Sequence, residues 1–274
     1  MSSHPPPSAD YYFNGEDIPK RLGLKIWFAV WMSCYVLFSV LGYITQTEKI
    51  LRVRTTKGFS PLISLLVFFS NLARVFWWIL EPFNLYLMLQ SLGQVIVQLV
   101  LVICVARVLK QTNERKSHFW YWPTAWPYIA VYSALIAIFA ILDGALWGSK
   151  GLATAMSILA TATECMYPLP QIYRAWKDKS TKAFSVPLAL VWSFGDTIKL
   201  CIFFASKPYP PLQMFICMGI SIFEDWIVFG QVCYYSWWLP RKAKKAAIKE
   251  SATPILVHSE ESCEGEDFNH LFEN

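Results

Sequence analysis

The chain has 274 residues, of which 55% are hydrophobic and only 16% are charged. A soluble domain carries roughly a quarter charged residues, and here the apolar residues come in long runs instead of at amphipathic spacing. This composition excludes an ordinary soluble domain and predicts an all-α polytopic membrane protein.

Seven segments reach or approach the roughly 20 apolar residues that a membrane-spanning helix needs. In chain order they are residues 26–45, 60–80, 83–106, 124–147, 152–171, 184–205 and 211–238. The first has no small-residue cleavage site after a short apolar core, so it is predicted to be a span and not a removed signal peptide. A tail of residues 1–25 precedes the spans. A tail of residues 239–274, basic and then acidic, follows them and is predicted to be disordered.

The distribution of Lys and Arg predicts the orientation of these spans. The loops after spans 1, 3 and 5, together with the C-terminal tail, hold 17 of the 24 basic residues, whereas the opposite side holds five. By the positive-inside rule, the C-terminus is predicted to lie in the cytosol and the N-terminus in a lumen or outside the cell. The net charge of +5 follows from this sidedness and does not indicate nucleic-acid binding.

Cysteine and histidine give no sign of a disulfide framework or a metal site. Six of the seven Cys lie inside predicted spans and the seventh lies in the C-terminal tail, while the four His lie in tails or a loop. Neither type is grouped at metal-ligand spacing, and no nucleotide-binding glycine pattern is present. We therefore expect no catalytic residues, no metal and no cofactor.

The sequence contains an internal repeat. A shift of 125 residues aligns residues 43–75 with residues 168–200, and seven of the aligned pairs are identical. Polar residues inside predicted spans align as well, three positions apart in both copies: Asn71 with Asp196, and Arg74 with Lys199.

Both copies begin with a span that runs in the same direction, so they are predicted to be parallel three-helix repeats. The first repeat comprises residues 26–107 and the second residues 150–238, while residues 108–149 hold a cytosolic loop and a linker span. The predicted fold is therefore a three-one-three arrangement of seven transmembrane helices. Transporters built from parallel repeats bind substrate near the membrane midplane, between their halves.

Polar residues inside the spans define a candidate substrate path. An ionisable residue there costs roughly 2.5–3.5 kcal/mol on insertion scales, so it usually faces the bundle interior or marks a path. The candidates are Asn71, Arg74, Glu164, Asp196 and Lys199, with Gln94 and Asp225 as secondary candidates. The alternative is that they form structural ion pairs, or that Arg74 extends to the membrane surface beside Trp77 and Trp78. Glu224 is adjacent to Asp225, so at most one of the two is expected to face a cavity.

Two prolines near the end of span 5 predict a hinge. Proline has no N–H, so Pro168 and Pro170 deprive two carbonyls in the preceding turn of their helical partners. Inside a bilayer such carbonyls need other donors or a wet cavity. We therefore predict a hinge at these prolines and Gln171, with Gln46 as the counterpart in the first copy. A static kink is the alternative.

Two further groups of residues have a predicted structural role. Gln90, Gln94 and Gln98 recur every four residues and so form one polar stripe, which either holds helices together by hydrogen bonds or tracks a substrate. We favour the first. Tryptophans near span ends are expected to anchor the chain at the membrane surface. They are Trp77, Trp78, Trp120, Trp122, Trp126, Trp237 and Trp238.

The second copy combines Pro170-Gln171, at the end of the first helix of a repeat, with three further motifs. These are KSTKAFS at 179–185, WSFGDTIK at 192–199 and FGQ at 229–231. The combination resembles the PQ-loop family, which includes cystinosin, the SWEET sugar transporters and the KDEL receptor. It looks most like the branch called PQ-loop repeat-containing protein 1 and its yeast relatives. In the first copy Thr45 occupies the proline position, so only the second copy keeps the full motif.

The resemblance implies ATP-independent movement of phospholipids across Golgi or endosomal membranes, in opposition to the aminophospholipid flippases. The implied partners are membrane lipids, through their phospholipid headgroups. Two alternatives stay open: a proton-coupled, alternating-access carrier of an amino acid or sugar, and a trafficking receptor. A vacuolar or lysosomal location, a homo-oligomer and sorting contacts through the C-terminal tail also stay open.

Overall fold

The structure, a computed structural model, describes residues 22–83, 85–112, 119–205 and 212–241. Within these ranges the regular structure is entirely helical. The helices are α1 (Leu22–Val53), α2 (Leu62–Leu80), α3 (Leu85–Thr112), α4 (Trp126–Ala145), α5 (Lys150–Met166), α6 (Pro168–Asp178), α7 (Val186–Ala205) and α8 (Leu212–Cys233), followed by a π-helical turn (Tyr234–Trp238). Most of the two predicted tails lies outside the described residues, as do the four His.

Four helical segments within the described ranges are long and apolar enough to cross a membrane. They are Leu62–Leu80, Leu85–Thr112, Trp126–Ala145 and Met214–Arg241, and they coincide with the second, third, fourth and seventh predicted spans. The chain is therefore a helical membrane protein, as its composition predicts. Helices α1, α5 and α7 lie at the other three predicted spans, whose membrane crossing stays a prediction.

The fifth predicted span is not one continuous helix. Helix α5 ends at Met166 and α6 begins at Pro168, with Tyr167 between them. Proline is tolerated in the first turn of a helix, where its missing N–H would have no intrahelical partner. Pro168 and Pro170 therefore begin α6 instead of interrupting α5. The single helix predicted over residues 152–171 is corrected accordingly, while the hinge itself stays a prediction.

Helix α2 contacts α3, α4, α5 and α6, and α1 packs against α3 and α7. One apolar core surrounds the loops that follow α1 and α6, where the rings of Phe59 and Phe184 stack at a centroid distance of 6.3 Å. A second core joins α2, α3, α4 and α5, with Phe68 stacked on Tyr132. Both cores belong to the first of the chain's two compact units, residues 1–232; the second unit begins at Cys233, the last residue of α8.

The tryptophans near the predicted span ends do not share one role. Trp120 is fully buried, and its indole Nε1 donates to Ser64 Oγ at 3.1 Å. The prediction that Trp120 anchors the chain at the membrane surface is therefore wrong, because its polar atom is satisfied inside the core. Trp126 is 75% exposed, and Trp237 and Trp238 are about half exposed, as surface anchors should be.

Candidate functional site

Each copy of the sequence repeat contributes one glutamine that binds the loop of the other copy. Gln46, in α1 of the first copy, is fully buried. Its Nε2 donates to the carbonyl of Ala183 at 2.7 Å, and its Oε1 accepts from the backbone N–H of Ser185 at 2.6 Å. Both partners lie in the loop between α6 and α7. Gln46 therefore satisfies one backbone acceptor and one backbone donor of the second copy.

Gln171, in α6 of the second copy, makes the equivalent contacts in the opposite direction. Its Nε2 donates to the carbonyl of Gly58 at 2.9 Å, and its Oε1 accepts from the backbone N–H of Ser60 at 3.1 Å. Gly58 and Ser60 are the counterparts of Ala183 and Ser185 under the shift of 125 residues. We call these four hydrogen bonds the glutamine clamp, since they join the two copies at equivalent positions.

The two loops that the clamp holds have the same backbone construction. Arg54 and Lys179, which are 125 residues apart, both have left-handed backbones, with φ of 49° and 47°. The side chains of Thr55 and Ser180 each accept from the backbone N–H two residues later at 3.2 Å. A Cβ added to Gly58 would lie 2.0 Å from the carbonyl oxygen of Ser180. Glycine is therefore required where the two loops approach each other.

A cavity of about 560 Å³ lies among α1, α2, α3, α5 and α7. Most of the candidate path residues line it: Asn71, Arg74, Gln94, Glu164 and Asp196. Lys199 is not part of this lining, but it and Glu164 both line a second, much smaller pocket. The secondary candidate Asp225 lines neither pocket. The structure thus brings the aligned polar residues of both copies to one place.

The centre of the cluster is a carboxylate shared by two cations. Arg74 Nη2 donates to Glu164 Oε2, and Lys199 Nζ donates to Glu164 Oε1 at 2.6 Å. Arg74 and Lys199 occupy equivalent positions in the two copies, whereas the position equivalent to Glu164 is Ser39. Arg74 is only 5% exposed, so the alternative that it extends to the membrane surface is wrong. Each copy supplies one cation, and the second copy alone supplies the shared anion.

Two further carboxylates lie next to this ion cluster. The buried carboxyl of Asp225, on α8, lies beside that of Asp196, and Ser193 Oγ ties α7 to the backbone carbonyl of Asp225 at 3.2 Å. The two carboxyls hydrogen-bond to each other. Two cations and three carboxyls thus lie close together, and the carboxyls of Asp196 and Asp225 are near enough to share a proton.

One residue of the glutamine stripe of α3 joins two helices, the role that the sequence analysis favours, while a substrate track stays a prediction. Gln94 Nε2 donates to the backbone carbonyl of Ser39 at 2.9 Å, which joins α3 to α1. Gln90 and Gln94 also line the cavity, and Oε1 of each has no donor within the described residues. Gln98 is fully buried and lies outside the cavity lining.

An aromatic wall completes the cavity, and sequence reasoning did not find it. The ring of Trp192 lies 6.2 Å from that of Tyr43 and 5.1 Å from that of Tyr167, and all three residues line the cavity. Tyr43 and Tyr167 stand at unrelated positions of the two copies, so the repeat gives no signal for them. Aromatic residues are also frequent throughout the chain, which leaves nothing to distinguish these three.

Comparison with known proteins finds a family match for part of the chain. The family model named PQ loop repeat matches residues 152–212, which contain most of α5 and all of α6, the clamped loop of the second copy and α7. This part of the chain therefore resembles a PQ-loop repeat. It is also similar to scramblase ANY1 of Saccharomyces cerevisiae, with 28% identity over 167 residues. That alignment covers 58% of this chain and 41% of the yeast protein, so the chain spans about two fifths of that relative's length. No solved structure matches the chain.

The PQ-loop repeat therefore carries both parts of the site. Its glutamine belongs to the clamp, and the helices on either side of it bring Glu164 and Asp196 to the cavity. The prediction of a PQ-loop protein with yeast relatives is confirmed. Among the described residues there is no group of three or more His, Cys, Asp or Glu side chains that could hold a metal ion. What the arrangement offers chemically is a buried, charged interior for a polar ligand group.

Proposed function

We propose that this PQ-loop protein moves phospholipids between the leaflets of a Golgi or endosomal membrane without ATP. One observation carries the proposal: the cavity that holds the ion cluster also has exposed apolar side chains in its lining. Phe38 of α1 and Phe194 of α7 both line the cavity and are 62% and 50% exposed. A chamber with a charged interior and an apolar, exposed rim suits a molecule with a polar head and apolar chains.

The headgroup enters the polar interior while the acyl chains stay in the bilayer, beside the apolar rim formed by α1 and α7. Arg74 and Glu164 offer a donor and an acceptor to a zwitterionic headgroup, which replaces part of the hydration that the headgroup loses. A polar group without such partners in hydrocarbon costs several kcal/mol, and this cost is the barrier that a scramblase lowers. The similarity to a yeast protein named as a scramblase supports the same function.

The proposed architecture is the three-one-three arrangement of seven spans, with the N-terminus in the lumen and the C-terminus in the cytosol. The glutamine clamp supports two equivalent repeats, because each residue that takes part in it lies 125 residues from the residue that makes the equivalent contact. The clamped loops then lie at the cytosolic side and hold that end of the two repeats together. Motion about Pro168 and Pro170, with Gln46 and Gln171, opens the chamber.

The test is a dithionite quench of an acyl-labelled fluorescent phospholipid in vesicles that contain the purified protein. Dithionite bleaches only the outer leaflet, so protein-free vesicles keep about half of their signal, and vesicles with active protein lose most of it. A variant with Glu164→Ala and Asp196→Ala should keep the protected half. Asp143→Asn is the matched control, since Asp143 is a buried carboxylate of α4 outside the cavity lining. A native protein that leaves the protected half intact would refute the proposal.

A second candidate function is proton-coupled transport of a small solute. It is favoured by the buried pair of Asp196 and Asp225, whose proximity suits a site that gains and loses a proton. Uptake of labelled amino acids and sugars into the same vesicles, with and without an imposed pH gradient, tests it. Solute uptake without lipid movement would establish this function in place of scrambling. The third alternative, a trafficking receptor acting through the tail, concerns residues outside the described ranges.

A further inference from the structure

The two sides of the chamber carry identical apolar residues but differ in what covers them. Under the shift of 125 residues, Leu65 of α2 matches Leu190 of α7, and Phe69 of α2 matches Phe194 in the same way. Leu65 and Phe69 pack against the second apolar core, where the ring of Phe69 lies 5.5 Å from that of Phe139 on α4. Leu190 and Phe194 are instead 37% and 50% exposed, and both line the cavity. The same face is thus covered by a helix in one copy and exposed in the other.

Polar contacts also close the covered side, between α2 and α5. Ser70 Oγ donates to the carbonyl of Ala160 at 2.9 Å, and both residues are only 1% exposed. One turn further along each helix, Arg74 donates to Glu164. Helices α2 and α5 therefore meet along a closed seam.

The equivalent positions of α1 and α7 lack the groups that close this seam. Gly195 has no hydroxyl where its counterpart Ser70 has one, and a Cβ added to Gly195 meets nothing within 4 Å. Ser39 has no carboxylate where its counterpart Glu164 has one. The amine of Lys199 on α7 donates to Glu164 on α5. The difference in sequence between the copies therefore leaves the side between α1 and α7 without the polar contacts of the other side.

Helices α1 and α7 touch near the glutamine clamp and separate beyond it. Thr45 Oγ1 lies 3.1 Å from Ser185 Oγ, and a Cβ added to Gly42 would lie 3.2 Å from a side chain of α7. One turn further from the clamp on α1, Phe38 is 62% exposed and lines the cavity, as Phe194 of α7 does. We call the space between these two phenylalanines the lateral opening.

We propose that, among the described helices, the chamber opens to the bilayer on one side only, through the lateral opening, and that an acyl chain of a phospholipid occupies it. The inference rests on the proposed function and deepens it, because it gives the path of the lipid and assigns Ser39 and Gly195 as the positions that keep the path open. In the other copy α4 covers the equivalent face with apolar side chains. Lipid chains are as apolar as leucine side chains, so an acyl chain suits the face that α4 leaves exposed.

The headgroup and the acyl chain then have separate places in one continuous site. The cavity reaches from the exposed ring of Phe194 to Arg74 and Glu164, all of which line it. A phospholipid whose headgroup lies among these charges keeps its chains at the lateral opening, in the hydrocarbon. A soluble solute would make no use of this opening, so lipid contact there also separates the two candidate functions.

The first test restores the missing polar groups. A double variant with Ser39→Glu and Gly195→Ser gives α1 and α7 the groups that close α2 against α5, with Lys199 as the expected partner of the new carboxylate. In the dithionite assay we expect scrambling to slow by about tenfold or more, because a new charge-assisted hydrogen bond must break at each passage. Gly219→Ser is the matched control, since its added Cβ also meets nothing within 4 Å and it lies outside the cavity lining. A double variant that scrambles at the native rate would refute the lateral opening while scrambling stands.

The second test does not depend on scrambling. The photoreactive residue p-benzoylphenylalanine replaces Phe194 at the lateral opening, Phe69 at the covered face, or Ile141, a 69% exposed residue of α4 outside the cavity lining. Each protein is illuminated in vesicles that contain tagged phosphatidylcholine or tagged diacylglycerol. At Phe194 we expect about threefold more adduct with phosphatidylcholine, because its headgroup is held in the chamber. At Ile141 we expect equal adducts, since any acyl chain reaches it, and at Phe69 we expect little lipid adduct.

The outcomes separate the lateral opening from the proposed function. Equal lipid adducts at Phe69 and Phe194, or equal adducts of the two lipids at Phe194, would refute the opening. Covalent dimers at Phe194 in place of lipid adducts would assign this face to a second copy of the chain and refute the lipid path. If no lipid moves in the dithionite assay but Phe194 keeps its preference for phosphatidylcholine, the proposed function fails and the lateral opening stands as a lipid-binding site.

Discussion

Removing the Glu164 carboxylate is the most informative single change, because this anion serves two buried cations. The side chains of Arg74, Glu164 and Lys199 are 6%, 15% and 5% exposed. Glu164→Gln keeps the shape of the side chain but removes the carboxylate that both cations contact, in a poorly hydrated setting. Removing one partner of a buried pair typically costs about 3–5 kcal/mol. We expect Glu164→Gln to lower the free energy of unfolding by at least that amount.

Two further variants separate charge from packing. Lys199→Met removes one cation but leaves Glu164 bonded to Arg74, so we expect a smaller loss of about 1–3 kcal/mol. The triple variant Arg74→Met, Glu164→Gln, Lys199→Met removes all three charges. Replacement of a complete buried ion cluster by apolar residues of similar volume is often close to neutral, so the triple variant should recover most of the stability that Glu164→Gln loses.

Unfolding is measured by titrating micelles of a mild detergent with dodecyl sulfate and following tryptophan fluorescence, with the native protein and the three variants in parallel. The expected order of stability is native, then triple variant and Lys199→Met, then Glu164→Gln. A Glu164→Gln protein that unfolds at the native midpoint would mean that water reaches both cations, and the reasoning from burial would be wrong. If the triple variant is as unstable as Glu164→Gln, the loss of stability comes from altered packing and not from unpaired charge.

Two predictions test the clamp and the loops that it holds. Leucine at Gln46 or at Gln171 leaves one buried carbonyl and one buried N–H without partners, so each change should lower the free energy of unfolding by about 2–5 kcal/mol. Midpoints that shift for only one of the two would contradict the equivalence of their contacts. Gly58→Ala should cost more than about 1 kcal/mol, because φ is +79° and the new Cβ would lie 2.0 Å from the Ser180 carbonyl oxygen. Gly219→Ala is the control, because nothing lies within 4 Å of its added Cβ, and it should be neutral or stabilising by up to about 1 kcal/mol. Equal unfolding midpoints for the two alanine variants would refute the close approach of the loops.

The sequence predicts the helical content of the chain and the identity of its polar cluster, because both leave local or periodic signals. Runs of apolar residues mark the helices, and ionisable residues within those runs are rare enough to stand out, as with Arg74 and Glu164. The repeat also shows that Arg74 and Lys199 are equivalent. It does not show that both bind Glu164, since equivalent positions could equally have held two separate pairs.

Contacts between distant segments were beyond sequence reasoning. Gln171 is recognisable as part of a motif, but its partners lie 111 and 113 residues earlier in the chain, and no local rule connects them. Trp120 lies near a predicted span end, where tryptophan usually anchors a chain at the membrane surface. Only its tertiary contact with Ser64 shows that it belongs to the core. The break at Tyr167 was predictable only in part. Proline predicts that the helix is interrupted, but it does not show whether the helix ends before the proline or after it.

The two copies of the repeat are equivalent at the glutamine clamp but differ at the cavity, and this difference bears on the position of the functional residues. At the clamp the two copies use the same residue type at the same position, so each repeat binds the loop of the other through equivalent hydrogen bonds. At the cavity the copies differ: Glu164 stands opposite Ser39, and Asp196 stands opposite Asn71. Both carboxylates come from the second copy, while the glutamines of α3 come from the first, so residues of both repeats line the chamber. Movement of one repeat against the other must change those contacts, and a ligand can shift a conformational equilibrium only through such a difference. Under the proposed function, the asymmetric residues are therefore the ones through which a headgroup would bias the opening of the two repeats.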